Sequence, residues 1–339
     1  MNSSSSGTVK CLGAAVLFGL VPSFLKFLML NNVSQPVCII VPNGISLALC
    51  GILSWARGRS CLTQQGNVWL LLLSGALGIG ITPLLLTGAY QLIPIGRAIV
   101  LHFLYPTVVT LLSILFFKKK ASPSVFCAAF LSFTGVAFLS LDSGALSGGT
   151  FAGVLLALAS AFSYALFILG SERLQRNCDS TLTALFFMNL GSLLTGLIWA
   201  LCGHSLAFPA SARLWLVSIG HGLVEMAGYF LLSQGIRSVG AVTASFATLL
   251  EPLTAVLFGA VFFRESVSLA SAAGIVMVLS AVWLNITSPV RSMSKLMLWM
   301  IIMNTAAGQK YGYPGLVKEF NPKVSSFIMR KRARPLSFH

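Results

Sequence analysis

Ten runs of predominantly apolar residues, each long enough to cross a bilayer as a helix, recur along the 339-residue chain. They cover 11–30, 35–55, 68–90, 95–117, 124–141, 151–170, 183–203, 213–235, 239–263 and 267–287. Hydrocarbon about 30 Å thick takes about 20 helical residues to span. Inside it, every backbone amide and carbonyl has to be paired within its own segment or a closed barrel. Runs of this length and number predict an all-α, polytopic membrane protein. Only 9% of the residues are charged, against about 25% in soluble domains. The first run is preceded by a single charge, Lys10, and exceeds an h-region of about 7–15 residues, so it is expected to be a membrane span and not a cleaved signal.

The net charge of +15 suggests nucleic acid until the basic residues are sorted by side. With the N-terminus in the cytoplasm, only Lys26, Arg97, Arg213 and Arg264 of the 22 lysines and arginines fall outside or at outer span ends. The positive-inside rule then places both termini in the cytoplasm of a multi-pass protein of the cell (inner or plasma) membrane. The basic excess is topology, so nucleic acid is not an expected partner. The seven cysteines form no C-x-x-C pair and most lie within spans, where they serve as small apolar fillers. Neither a disulfide framework nor a metal site is expected.

Within the ninth span, LLEPLTAVLFGAVFFRE carries Glu251 and Pro252. An ionised carboxylate in a bilayer centre costs about 2.5–3.5 kcal/mol on insertion scales. A proline there removes a backbone hydrogen bond and kinks the helix, so Pro252 and its counterpart Pro106 are candidate hinges.

That stretch also has a partner. FLYPTVVTLLSILFFKK (103–119) aligns with 249–265 at an offset of 146, matching Pro106 to Pro252 and Phe116-Phe117 to Phe262-Phe263. GAAVLFGLVPSFLK (13–26) aligns with ALASAFSYALFILG (157–170) at an offset of 144. Two near-equal offsets predict a duplication of five spans: a first repeat over 10–141, a Gly/Ser-rich linker over 142–150, a second repeat over 151–287, and a basic cytoplasmic tail over 288–339. Because five is odd, the halves must cross in opposite directions, as inverted repeats. Transporters of that architecture bind substrate near the midplane between the halves and alternate access by rocking. In the tail, LMLWMIIM (296–303) is too short to span and reads as interfacial, and RKRARP (330–335) suits anionic headgroups.

These segments, with GVLLALASAFSYALFILGSERL in the sixth span and above all GAVTASFATLLEPLTAVLFGAVFFRESVSLASAAGIVMVLS (240–280), resemble the EamA family of the drug/metabolite transporter superfamily. The likeness covers 10–287. It implies ten helices in two EamA repeats and transport of small metabolites, often amino acids and their relatives. The first half departs from the family's E-P pattern, carrying Tyr105-Pro106 where the second has Glu251-Pro252.

The duplication also supplies a filter: scaffold residues should recur in both halves, whereas residues of an asymmetric substrate site should not. At these offsets Glu251 faces Tyr105, Lys26 faces Gly170, Arg97 faces Ala241, and Glu225 falls opposite 79–82. Ser218, His221, Glu225 and Tyr229 form one stripe along the eighth span, and a polar stripe on an apolar span should face the bundle interior. Glu225, Glu251, His221, Tyr229, Lys26, His102, Tyr105 and Tyr164 are the candidate substrate-binding residues. Each has a bland alternative. Glu225 and Glu251 could serve helix packing alone, Lys26 could snorkel, and Arg97 could anchor the interface. Asn43 and Asn189 could bond neighbouring helices.

The function expected is secondary transport of small polar metabolites, with amino acids or related compounds as substrate, a proton as candidate coupling ion and a homodimer as one arrangement. The alternatives are an importer or exchanger of nucleotide-like metabolites (S-adenosylmethionine, nucleotide sugars), an intramembrane enzyme, or a channel. No P-loop is present, and no G-x-S-x-G or H-E-x-x-H accompanies the intramembrane histidines. No cofactor is expected, and no catalytic residue is assigned.

Overall fold

A computed structural model describes residues 3–58, 68–93, 95–117, 123–139, 151–175, 178, 180–202, 206–263 and 268–287. The 142–150 linker and the 288–339 tail lie outside the described residues. The described chain is helical: α1 (Ser3–Leu30), α2 (Gln35–Ala56), α3 (Val68–Gly75), α4 (Thr82–Tyr90), α5 (Ile95–His102), α6 (Tyr105–Phe117), α7 (Pro123–Leu139), α8 (Phe151–Leu174), α9 (Thr181–Leu201), α10 (Ala212–Val239), α11 (Ala241–Ala247), α12 (Leu250–Phe263) and α13 (Leu269–Thr287). Seven helical stretches are long and apolar enough to cross a membrane, and α7 and α13 contribute shorter apolar helices. The ninth expected span is divided between α11 and α12. Trp55, Phe116, Phe130, Leu201 and Leu216 are exposed, an outer surface suited to acyl chains and not to water.

Three spans are not the simple helices expected from sequence. The third carries a π-helical turn, Ala76–Ile81, between α3 and α4, the kind of one-residue insertion that often marks a functional position. The fourth breaks at 103–104 and the ninth at 248–249. Pro106 and Pro252 therefore do not kink continuous helices. They occupy the first turns of α6 and α12, where an amide hydrogen would have no intrahelical partner and proline costs little.

One offset, 146, relates the halves throughout. Ser34 precedes α2 and Ser180 precedes α9, each in extended backbone. Asn43 and Asn189 occupy matching positions, and each donates its side-chain amide to the carbonyl four residues earlier, Ile39 at 2.7 Å and Leu185 at 2.8 Å. Gly7 lies against Ser238 and Val239, and Gly153 against Leu92 and Ile93. All four partners and both glycines differ by 146. In each pair an added Cβ would collide with the facing helix, so small residues here let backbones approach, as in lipid they must. The packing order repeats in the same way. α1 lies along α10 as α8 lies along α4, while α2 meets α9 and α7 meets α13.

The offset of 144 expected for the first and sixth spans is two residues short. At 144, Phe18 (6% exposed) would match Phe162 (48% exposed), and buried Ala15 would match exposed Ala159. At 146, buried Cys11, Ala14, Ala15 and Phe18 match buried Ala157, Ser160, Ala161 and Tyr164, and exposed Val16 matches exposed Phe162. A slip of two residues turns a helix face by about 200°, so burial decides between alignments that residue identity leaves close. Lys26 thus corresponds to Glu172 and not to Gly170.

Candidate functional site

The polar stripe of α10 points inward. Ser218, His221 and Tyr229 are buried, and Glu225 retains 16% side-chain accessibility although protein surrounds it. The carboxylate is therefore only partly shielded, at the inward face of α10. His221 Nε2 lies 3.6 Å from Glu225 Oε2, within ion-pair reach but long for a hydrogen bond. The His221 ring is 2% exposed, stacks on Phe24 with centroids 5.9 Å apart, and leaves both nitrogens without a hydrogen-bond partner. A buried polar group of that kind costs free energy and calls for an explanation.

From Tyr229 an aromatic chain crosses the bundle. Its ring meets Phe18 at 4.9 Å and Phe167 at 5.8 Å; Phe167 stacks on Tyr164 at 5.7 Å; Tyr164 meets Tyr105 edge-on at 4.8 Å and His102 at 5.7 Å. Spacings of 4.5–7 Å in edge or offset geometry are the favourable ones.

The two helix breaks meet at the end of this chain. The Tyr105 hydroxyl lies 2.8 Å from Thr248 Oγ1, joining the break in the fourth span to that in the ninth. Thr248 Oγ1 also donates to the carbonyls of Ser245 at 3.0 Å and Ala244 at 3.2 Å, so its hydrogen is committed and Tyr105 is the donor. Likewise the Ser160 hydroxyl donates to Ala157 O at 2.6 Å, so His102 Nδ1, at 3.0 Å from Ser160 Oγ, carries the hydrogen of that pair.

Glu251 is half-buried in the first turn of α12, where a carboxylate complements the helix dipole. Three residues before it, Thr248 bonds the Tyr105 hydroxyl, so Glu251 follows the aromatic chain's end by about one helical turn. Among the described residues the Glu251 carboxylate makes no hydrogen bond or ion pair.

Six of the eight residues singled out from sequence therefore gather on one aromatic and acidic centre, and Glu251 follows Thr248, which bonds Tyr105 there, by three residues. Lys26 does not gather there. It is exposed on α1, and it follows Phe24 by two residues, which places it on the face of α1 opposite the one that meets His221. The Arg97 side chain lies outside the described ones. Phe18, Phe24, Phe167, Ser160 and Thr248 escaped the sequence reading. Aromatic residues are too common in spans to stand out, but Thr248 is the repeat mate of His102, and that signal was available. Among the described residues no three His, Cys, Asp or Glu side chains gather as a metal would require.

Two pseudo-symmetric sets of five membrane segments, with broken helices meeting beside an acid- and aromatic-lined centre, define an inverted-repeat integral membrane protein of the transporter class. Residues 5–141 and 151–287 each match the EamA-like transporter family, and the chain belongs to that family. The uncharacterized transporter YwfM of Bacillus subtilis is 34% identical over 48% of this chain and 54% of its own length, so the match spans about half of that relative. A biotin transporter of Escherichia coli K12 is 24% identical over 67% of this chain and 75% of its own. A solved crystal structure superposes with a TM-score of 0.70 at 20% identity, covering 84% of this chain and 96% of that one, a likeness of fold.

Proposed function

We propose that the chain is a secondary transporter of small polar metabolites bearing an amino group, amino acids and their relatives, working by alternating access in the cell membrane with both termini cytoplasmic. The observation that carries the reading is Glu225, partly accessible on the inward stripe of α10 between His221 and Tyr229, with Glu251 in the first turn of α12 beside the Tyr105–Thr248 bond. An ammonium group there gains two carboxylates and aromatic faces, and cation–π contact is worth about 2 kcal/mol when desolvated. An amino acid's carboxylate has a separate place. The first turn of α12 already holds an acid, whereas that of α6 holds none, and the positive end of a broken helix favours an anion.

A proton is the coupling ion of this reading, held by Glu225 with the unpartnered His221 ring beside it to receive or relay it. No chemical step is assigned to the protein; its work is binding and rearrangement. The biotin transporter among its relatives also bears the name of a small organic metabolite. The aromatic chain gives a second reading, a nucleotide-like cation such as S-adenosylmethionine, whose base would lie on a tyrosine face. Phosphate-bearing nucleotide sugars fit less well, since Glu225 and Glu251 would repel them.

The test is ligand-dependent thermal stability of the purified chain. Stabilisation grows as RT ln(1 + [L]/Kd), so an amino acid or amine at 100 times its Kd should add about 2.7 kcal/mol. A panel in which no amine-bearing compound shifts the transition, while anionic metabolites do, would overturn the substrate assignment.

A further inference from the structure

We infer that Glu172 and Gln175, at the C-terminal end of α8, form a one-sided latch that holds the transporter closed on the face where α1 begins. That face is the cytoplasmic one on the topology proposed above, and the inference rests on the alternating-access reading. Glu172 Oε2 accepts the amide hydrogen of Ala241 at 3.0 Å. Ala241 opens α11 directly after Gly240, whose φ of +83° makes the sharp turn from α10. Three residues on, Gln175 Nε2 donates to Ser233 Oγ at 2.7 Å in a buried position on α10. One end of α8 therefore ties down both α10 and the first half of the broken ninth span. Lys10 Nζ donates to Gln234 Oε1 at 2.6 Å on the same face, fastening α1 to α10.

The repeat shows what the other face lacks. At an offset of 146, Glu172 maps to Lys26, Gln175 to Met29, Ala241 to Ile95 and Ser233 to Thr87. Were the opposite face latched alike, residue 26 would accept the Ile95 amide hydrogen and residue 29 would donate to Thr87. Lysine has no acceptor atom and methionine no hydrogen to donate. Thr87 instead receives Gln35, Met29 is 47% exposed and Lys26 is exposed. Backbone packing agrees, because among the described residues α8 packs on α10 and α11 whereas α1 makes no comparable packing on their repeat mates α3, α4 and α5. Glycine contacts that do not depend on side-chain chemistry, Gly7 on Ser238 and Gly153 on Leu92, occur on both faces. The scaffold is thus symmetric and the latch is not.

A tie from α8 to α10 and α11 on one face, with a different and shorter-reaching set of bonds on the other, is the asymmetry expected of an inverted-repeat carrier held at one limit of its cycle. The substitutions between the halves make that limit the resting one. Glu172 and Gln175 act as positioning residues, apart from the centre that would hold substrate.

Hydrogen–deuterium exchange of the full chain in lipid nanodiscs tests this without any substrate. In Glu172→Ala, amide exchange over 231–247 should quicken about tenfold, and exchange over 24–33 and 83–93 should slow in return. Mere local fraying would produce the first change without the second, and that result would overturn the latch. The converse variant, Lys26→Glu with Met29→Gln, builds the missing pair on the opposite face. It should protect 24–33 and 83–93 and deprotect 231–247 in otherwise native protein, and unchanged exchange in both regions would equally overturn the proposal. Reciprocal exchange in a protein that carries no compound would leave the latch standing and sink the transport reading. Transport with no reciprocity would do the opposite.

Discussion

Removing the Tyr105 hydroxyl and removing the Thr248 hydroxyl should not cost the same, although the two share one hydrogen bond of 2.8 Å. Thr248 already donates to Ser245 O and Ala244 O, so Tyr105→Phe deletes a donor and leaves no polar hydrogen stranded. Its cost is that of one interhelical bond in a membrane protein, about 0.6 kcal/mol on average and about 1.7 kcal/mol at most. Thr248→Val leaves the Tyr105 hydroxyl, which is 0% exposed, with nowhere to donate. An unsatisfied buried donor adds about 1–3 kcal/mol, so Thr248→Val should destabilise by about 2 kcal/mol or more. The double variant strands nothing, and should cost less than the sum of the singles by about 1 kcal/mol. Reversible unfolding of the full chain in mixed micelles gives all three values. Equal single costs that simply add would refute the assigned donor direction, and with it the claim that this bond ties the two helix breaks together.

Other outcomes follow from the same geometry. Glu225→Gln keeps the shape of a side chain facing His221 but loses its charge, and should weaken binding of an amine-bearing substrate by about 30-fold, roughly 2 kcal/mol, in a direct binding titration. Lys26→Met, on an exposed position off the aromatic face, should leave that affinity within about threefold, since surface changes stay within about 0.5 kcal/mol. Gly7→Leu and Gly153→Leu drive a side chain into Ser238 and Leu92 respectively. Both should lose about 3 kcal/mol or fail to fold, and their yields of monodisperse protein should fall together because the positions are repeat mates.

The spans, the duplication and the inward stripe of α10 were all legible in the sequence, because bilayer thickness and helix period leave few alternatives. Ser218, His221, Glu225 and Tyr229 needed only their spacing to be placed on one face. The first and sixth spans were harder. Ala and Phe recur so often in apolar helices that an offset of 144 matched identities, whereas only burial exposes the two-residue slip. The breaks at 103–104 and 248–249 were hidden for a related reason. Proline announces an irregularity, but a kink and a new helix start differ in which side pairs the upstream carbonyls, and that is settled by tertiary contact. Lys26 was ambiguous in sequence because a lysine near a span's end can turn toward a cavity or toward the headgroups with equal ease. Glu172 went unnoticed because its role emerges only against its true mate, Lys26.

Counterflow in proteoliposomes separates a carrier of amine-bearing compounds from a channel and from a carrier of anions. Vesicles holding the purified chain would be preloaded with an unlabelled amino acid or amine and given the same labelled compound outside, across a panel that includes S-adenosylmethionine and a nucleotide sugar. A carrier that holds an ammonium group at Glu225 gives saturable, preload-dependent accumulation of at least one amine-bearing compound, lost in Glu225→Gln. Flux of folded protein that neither saturates nor responds to preload would contradict a carrier, and accumulation confined to anionic sugar nucleotides would contradict the reading of Glu225 and Glu251 as the groups that hold the substrate.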